Sequence, residues 1–128
     1  MIKRLKKGSN VQLSAHVHSD EIDCPCDNPG CTALFYESEL LDAFEEFRLV
    51  WSEPITINSG YRCPEHNSLL VSPGAATSTH IIGHALDLKI PICIDFAWAC
   101  HEANEIFDFV YEYPETRTLH CDIYYRGD

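Results

Sequence analysis

Three side chains of metal-binding type stand out, two of them seven residues apart around a glycine. His80 and Asp87 lie in Ser78-Thr79-His80-Ile81-Ile82-Gly83-His84-Ala85-Leu86-Asp87, and His120 lies in Leu119-His120-Cys121-Asp122. Two imidazoles and a carboxylate hold Zn²⁺ with a fourth position open, which is how hydrolytic zinc sites differ from closed structural ones. The set predicts a zinc-dependent hydrolase. Asp87 adds to it, because a carboxylate among Ala85, Leu86, Leu88 and Ile90 needs a partner to offset its desolvation. Pairing His80 with His84 on a zinc-protease helix fails. That pattern requires a glutamate where Ile81 stands, and Gly83 weakens any helix there.

The elements that must carry these residues are legible in part. Leu40, Leu41, Phe44, Phe47, Val50 and Trp51 recur at helical spacing from Glu39, with Ser38 as the N-cap. Pro54 to Asn58 reads as a short buried strand ended by Ser59-Gly60, with Arg62 just beyond its exit. Residues 64–78 read as a surface loop with a short helix around Glu65 to Leu70. His84 to Ile90 forms the second strand. Asp95 caps a second helix over Phe96 to Phe107, whose Phe96, Ala99, Cys100, Ala103 and Phe107 share a face. Phe109–Tyr113 and Thr118–Tyr125 then form a hairpin through Pro114–Arg117. Residues 11–28 read as loop. The order predicts an α+β fold, a small antiparallel sheet flanked by helices.

Composition narrows the functional classes. A chain of 128 residues supports one core, expected over residues 11–128 after a basic N-terminal arm at 1–10. Net charge is −11, and four of the nine Lys and Arg (Lys3, Arg4, Lys6 and Lys7) precede every acid. The remaining body repels phosphate backbones, so no nucleic-acid partner is expected. The basic start reads as a solvated end. The polar stretch from Gly8 to Gln12 provides no apolar signal segment, and Phe96–Cys100 is the longest apolar run. The expectation is synthesis in the cytoplasm without a signal peptide, no membrane span, and a monomer.

Seven cysteines cannot all pair within one chain. Cys24-x-Cys26-x4-Cys31, with Cys63 beyond the first strand, offers four thiols for a second, structural zinc, against the alternatives of burial or disulfide pairing. Cys93, Cys100 and Cys121 read as small core residues. His16 and His18 either line a cleft or sit on the surface, and His66 and His101 read as ordinary polar residues. Tyr61, Tyr124 and Tyr125 read as packing aromatics.

Taken together, Ser59-Gly60-Tyr61-Arg62-Cys63-Pro64-Glu65-His66-Asn67, then Ser78-x-His80-x-x-Gly83-x-Ala85-x-Asp87, then His120-x-Asp122 resembles the M15 family of zinc D-Ala-D-Ala carboxypeptidases and related peptidoglycan peptidases. The likeness spans about residues 13 to 125 and looks closest to compact single-domain members, often phage-encoded or bacterial, with the hedgehog-like fold. It implies His80, Asp87 and His120 on one catalytic zinc, Arg62 stabilising negative charge on the substrate, and a peptidoglycan stem peptide or crosslink as substrate. It also implies action at the cell wall, as a phage endolysin-like enzyme acts after release or assembly. Many members place the catalytic acid three residues before the second histidine, where this chain has Arg117. Asp122, on the same strand face as His120, is then the leading candidate base or else a residue holding an imidazole. Glu115 is the second candidate base. A zinc-binding module without catalysis is the alternative function.

Overall fold

Alternation along one strand sets the architecture. In the computed structural model, which describes residues 1–70 and 79–123, Leu86 and Leu88 are buried on one face while Asp87 between them points to the other. This strand, numbered β6 in chain order, spans Ala85–Lys89 and is second in a four-stranded antiparallel sheet. The sheet runs β5 (Thr56–Ser59), β6, β8 (Thr118–Asp122), β7 (Phe109–Tyr113). Two helices complete the core: α2 (Ser38–Trp51) and α4 (Phe96–Ile106) pack together with Leu86, Leu88, Leu119 and Cys121. Phe47 meets Phe107 edge to face at 5.9 Å between ring centroids. The opposite face of the sheet is left for chemistry.

The helices, the central strands and the closing hairpin stand where periodicity places them. Asp95 Oδ1 accepts from Trp98 N at 2.9 Å, so α4 has the expected cap. In α2 the first helical residue is Ser38 itself, the cap position falls to Glu37, and no side chain caps the helix. A 3-10 turn over Pro114–Thr116 joins β7 to β8, and α3 spans Pro64–Leu70. Residues 71–78, the rest of the expected surface loop, lie outside the described residues, as do Tyr124 and Tyr125.

The first third of the chain differs most from expectation. The basic start is not a solvated arm over Ile2–Lys6: these residues form β1, paired antiparallel with β4 (Ala33–Glu37) in a separate two-stranded ribbon. Four of the five β1 side chains are exposed, so the pairing rests on backbone hydrogen bonds that leave no hydrophobic signature. Residues 11–28 are not all loop either. They hold β2 (Gln12–Ser14), β3 (Val17–His18) and a single helical turn, α1 (Ser19–Ile22), capped by His18. Cys100 and Cys121 are buried as expected, but Cys93 is exposed in the turn before α4.

One glycine locks the ribbon to the sheet. Gly83 has φ +74°, and a Cβ there would stand 2.5 Å from the backbone oxygen of Phe35 in β4. Its own carbonyl accepts from Glu37 N at 2.9 Å. Both the left-handed backbone and the contact exclude a side chain. Gly83→Ala should therefore destabilise the fold by about 2 kcal/mol or more, read as a lower midpoint in urea denaturation. An unchanged midpoint would show that β4 can move away freely.

Candidate metal centre

Sheet register brings two of the predicted ligands face to face. Asp87 of β6 pairs directly with His120 of β8, which pairs in turn with Tyr111 of β7; Ser59 of β5 completes the row. Directly opposed residues of an antiparallel pair project to the same side, so carboxylate and imidazole meet without any loop to hold them. His80 comes from a 3-10 turn, Thr79–Ile82, leading into β6. Gly83 follows that turn and redirects the chain into the strand. His80, Asp87 and His120 thus offer ligand atoms all within 4.8 Å of one another.

The hydrogen bonds decide which atoms are offered. His80 Nδ1 lies 2.7 Å from the carbonyl oxygen of Gly60, an acceptor only, so Nδ1 carries the proton and Nε2 faces the cluster. The close approach of Gly60 to Ile22 puts that carbonyl in place: a Cβ on Gly60 would stand 2.6 Å from Ile22 Cβ. His120 Nε2 donates to Asp122 Oδ2 at 2.9 Å, which leaves Nδ1 for a metal. His80 Nε2 and His120 Nδ1 each stand 3.2 Å from Asp87 Oδ1. Ligands about 2.0–2.1 Å from a tetrahedral zinc lie about 3.3 Å apart, so the spacing fits the ion. His80 is buried, whereas Asp87 and His120 keep part of their surface open.

Electrostatics favour positive charge at this cluster. Burial would raise the Asp87 carboxyl, but hydrogen bonds from His120 and His80 outweigh it and hold the group well below the usual carboxylate range. Burial works against a charged His120 too, yet its bonds to Asp122 and Asp87 raise its pKa to about 9. A divalent ion held by His80, Asp87 and His120 would take the place of that proton.

The other predicted residues divide sharply. Asp122 is 2 % exposed; its Oδ2 also accepts from Thr79 Oγ1 at 3.1 Å, and its Oδ1 is buried without a hydrogen-bond partner among the described residues. Its carboxylate thus engages the nitrogen of His120 turned away from Asp87. Glu115 is exposed in the turn beyond the Tyr113–Thr118 pair. Arg62 donates its backbone N–H to the carbonyl of His80 at 3.2 Å, and its Nε is buried with no partner among the described residues.

Arg117, at the position where the motif resemblance implies an acid, turns to the loop before α4. Its guanidinium donates to the carbonyls of Ile90, Pro91 and Ile94 and lies over the ring of Phe96. His84 meets Glu37, at 3.4 Å, instead of pairing with His80. His16 is bound to Glu45 and His18 caps α1, so neither lines the site. The four predicted thiols, Cys24, Cys26, Cys31 and Cys63, are brought together as free cysteines within 4.8 Å of one another.

One feature escaped sequence reasoning: Phe109, Tyr111 and Tyr113 project from β7 on the side of His120. The Phe109 ring lies 6.1 Å from the His120 ring, and the tilted rings of Tyr111 and Tyr113 lie 5.0 Å apart while 54 % and 46 % exposed. Burial and the charge of Asp87 raise the Tyr113 hydroxyl pKa, while the positive charge of Arg62 opposes them. The period-two aromatic spacing in Phe109-Val110-Tyr111-Glu112-Tyr113 was the available signal.

Two histidines and an aspartate, one from a turn and two from facing strands, make a donor set of the kind zinc hydrolases use. The sequence matches the Peptidase M15 family over residues 14–122, and the chain belongs to that family of zinc metallopeptidases. No curated protein and no solved structure matches it significantly. Among the described residues no helix is long and apolar enough to cross a membrane.

The charge network makes the metal-free protein and the zinc complex respond oppositely to pH. The raised pKa of His120 contributes stability that is complete below about 6.5 and lost as pH rises through about 9. Asp87, held low, contributes above the ordinary carboxylate range and loses its contribution as pH falls below it. Thermal melts in chelator should therefore decline from pH 6.5 to 9, while the upward shift on adding zinc should grow over the same interval. A zinc shift independent of pH would separate His120 from the metal.

Proposed function

We propose that this protein is a zinc peptidase cleaving the peptide part of bacterial peptidoglycan, as a D-Ala-D-Ala carboxypeptidase or an endopeptidase. The observation that carries the reading is the convergence of His80 Nε2 from its turn with Asp87 Oδ1 and His120 Nδ1 from the sheet, beside two half-exposed tyrosines on the neighbouring strand. Zinc held by these three groups supplies a Lewis acid and a water acidic enough to act at neutral pH. Family membership supports the peptidase class. The cell-wall substrate follows the motif resemblance, and we place the site of action at the bacterial wall, reached as a phage lysis or particle-associated enzyme reaches it.

Each residue contributes by its position. Arg62, whose backbone N–H is bound to the carbonyl of His80, is the residue assigned to a carbonyl oxygen gaining negative charge or to a peptide carboxylate. Tyr111 and Tyr113 offer flat faces along which a peptide backbone can lie. The strongly acidic body gives no general attraction to anionic wall polymers, so recognition is local to this face. Asp122 orients His120, the carboxylate–histidine–metal arrangement, and so acts through the ligand. Glu115, on the turn after β7, is then the remaining candidate to accept the proton of the attacking water.

Two variants separate these roles. Asp122→Asn should weaken zinc binding by about 10- to 100-fold, with much of the lost turnover recovered at saturating zinc. Glu115→Ala should leave zinc affinity unchanged and lower kcat by about 100-fold. The reverse pattern would assign the proton to Asp122.

Purified peptidoglycan digested by the zinc-loaded protein should yield new peptide fragments, whose masses distinguish loss of terminal D-Ala from an internal or crosslink cut. Arg62→Ala should reduce kcat/KM by about 100-fold or more. A zinc-replete protein that releases nothing would instead be a binding module of the same fold.

A further inference from the structure

The four cysteines share no residue with the metal centre already described, and their arrangement is not what burial or disulfide pairing predicts. Cys24, Cys26 and Cys31 occupy the stretch between α1 and β4, which has no helix or strand; Cys63 lies far along the chain, just before α3. Their sulfurs all lie within 4.8 Å of one another, with Cys26 Sγ 3.5 Å from Cys63 Sγ. Sulfurs about 2.3 Å from a tetrahedral zinc stand about 3.8 Å apart, whereas a disulfide requires about 2.05 Å. Four mutually close sulfurs resemble the corners of one tetrahedron more than two separate bonds.

Every sulfur also faces a donor. The backbone N–H of Cys63 donates to Cys24 Sγ at 3.3 Å, and that of His66 to Cys63 Sγ at 3.4 Å. The Lys7 ammonium reaches Cys31 Sγ at 3.4 Å and Cys26 Sγ at 3.7 Å, and it also donates to the Cys26 carbonyl at 2.7 Å. Donors on all four sulfurs suit thiolates, which carry charge that neutral thiols and disulfides lack. A zinc ion with four thiolates keeps a net charge of −2, and the Lys7 ammonium offsets part of it.

We propose that Cys24, Cys26, Cys31 and Cys63 bind a second zinc ion in a closed tetrathiolate site that ties the loop before β4 to the segment carrying Arg62. On binding, each thiol releases its proton to solvent as its sulfur takes up the metal, with no change of oxidation state. Four protein ligands leave no position for substrate, so the ion is structural, and soft sulfur donors select zinc over harder cations. The site also gives Lys7 a task inside the fold. Through Cys63 it anchors the chain next to Arg62, whose backbone N–H is bound to the carbonyl of His80. The inference stands independently of the peptidase reading.

Metal content and cobalt absorption test it on the full chain, purified under reducing conditions. The parent should hold about two zinc ions per chain and His80→Ala about one. Cobalt-loaded His80→Ala should keep intense near-ultraviolet thiolate-to-metal charge transfer, and the double variant Cys26→Ser with Cys31→Ser should lose it. A His80→Ala protein with no tightly held metal, or one whose cobalt complex lacks that absorption, would overturn the proposal. So would alkylation showing these four cysteines already joined as disulfides, or iron bound in place of zinc. Because His80→Ala and the parent both report on the thiols, the test survives if the double variant does not fold. Absence of peptidase activity would leave all of these readouts intact.

Discussion

A single carboxylate held between two imidazoles organises this molecule. Asp87 stands on a strand whose neighbours Leu86 and Leu88 belong to the core, and its charge is stable there because His80 and His120 converge on one of its oxygens. Each imidazole is fixed from behind, His80 by the Gly60 carbonyl and His120 by Asp122. An ion pair in such surroundings repays its desolvation only when the geometry is over-determined. The fold supplies that through adjacent strands in fixed register, a turn bent at a left-handed glycine, and a β5 exit pressed against α1. The same convergence that stabilises the carboxylate gathers three donor atoms at a spacing a zinc ion could take.

The sheet separates stability from chemistry. Its core face is filled by Leu86, Leu88, Leu119 and Cys121 against α2 and α4, while its other face carries Ser59, Asp87, His120 and Tyr111 in one row. Strand alternation makes these two populations independent: a change on the chemical face need not disturb packing. Arg117 illustrates the division. Placed near the hairpin turn in a left-handed conformation, it spends its donors on the carbonyls of the loop before α4, so it supports that loop and leaves proton transfer to other groups.

Much of this was readable from residues alone, for definite reasons. The faces of α2 and α4 follow from helical periodicity, β6 from an apolar run interrupted by one aspartate, and the β7–β8 hairpin from flanking β-formers around a proline turn. The trio His80, Asp87 and His120 was legible because those residue types at those positions make little sense as packing. The β1–β4 ribbon was not legible. Its strands are short and mostly exposed at β1, so backbone pairing holds them without the alternation that betrays a buried strand. Cys93 misled for the opposite reason: a small apolar residue type says nothing of burial when it falls in a turn.

By itself the sequence determined the chemical vocabulary: which side chains can bind metal, where helices and central strands run, and that a glycine must separate His80 from β6. These follow from local steric and hydrophobic rules acting over a few residues. Only the tertiary structure decided which nitrogen of each histidine faces Asp87 and that Asp122 stands behind His120. It alone turned Arg117 away and gathered Lys7 with Cys24, Cys26, Cys31 and Cys63 into one cluster. Those outcomes depend on register and on contacts between residues tens of positions apart, set by the packing of the whole chain.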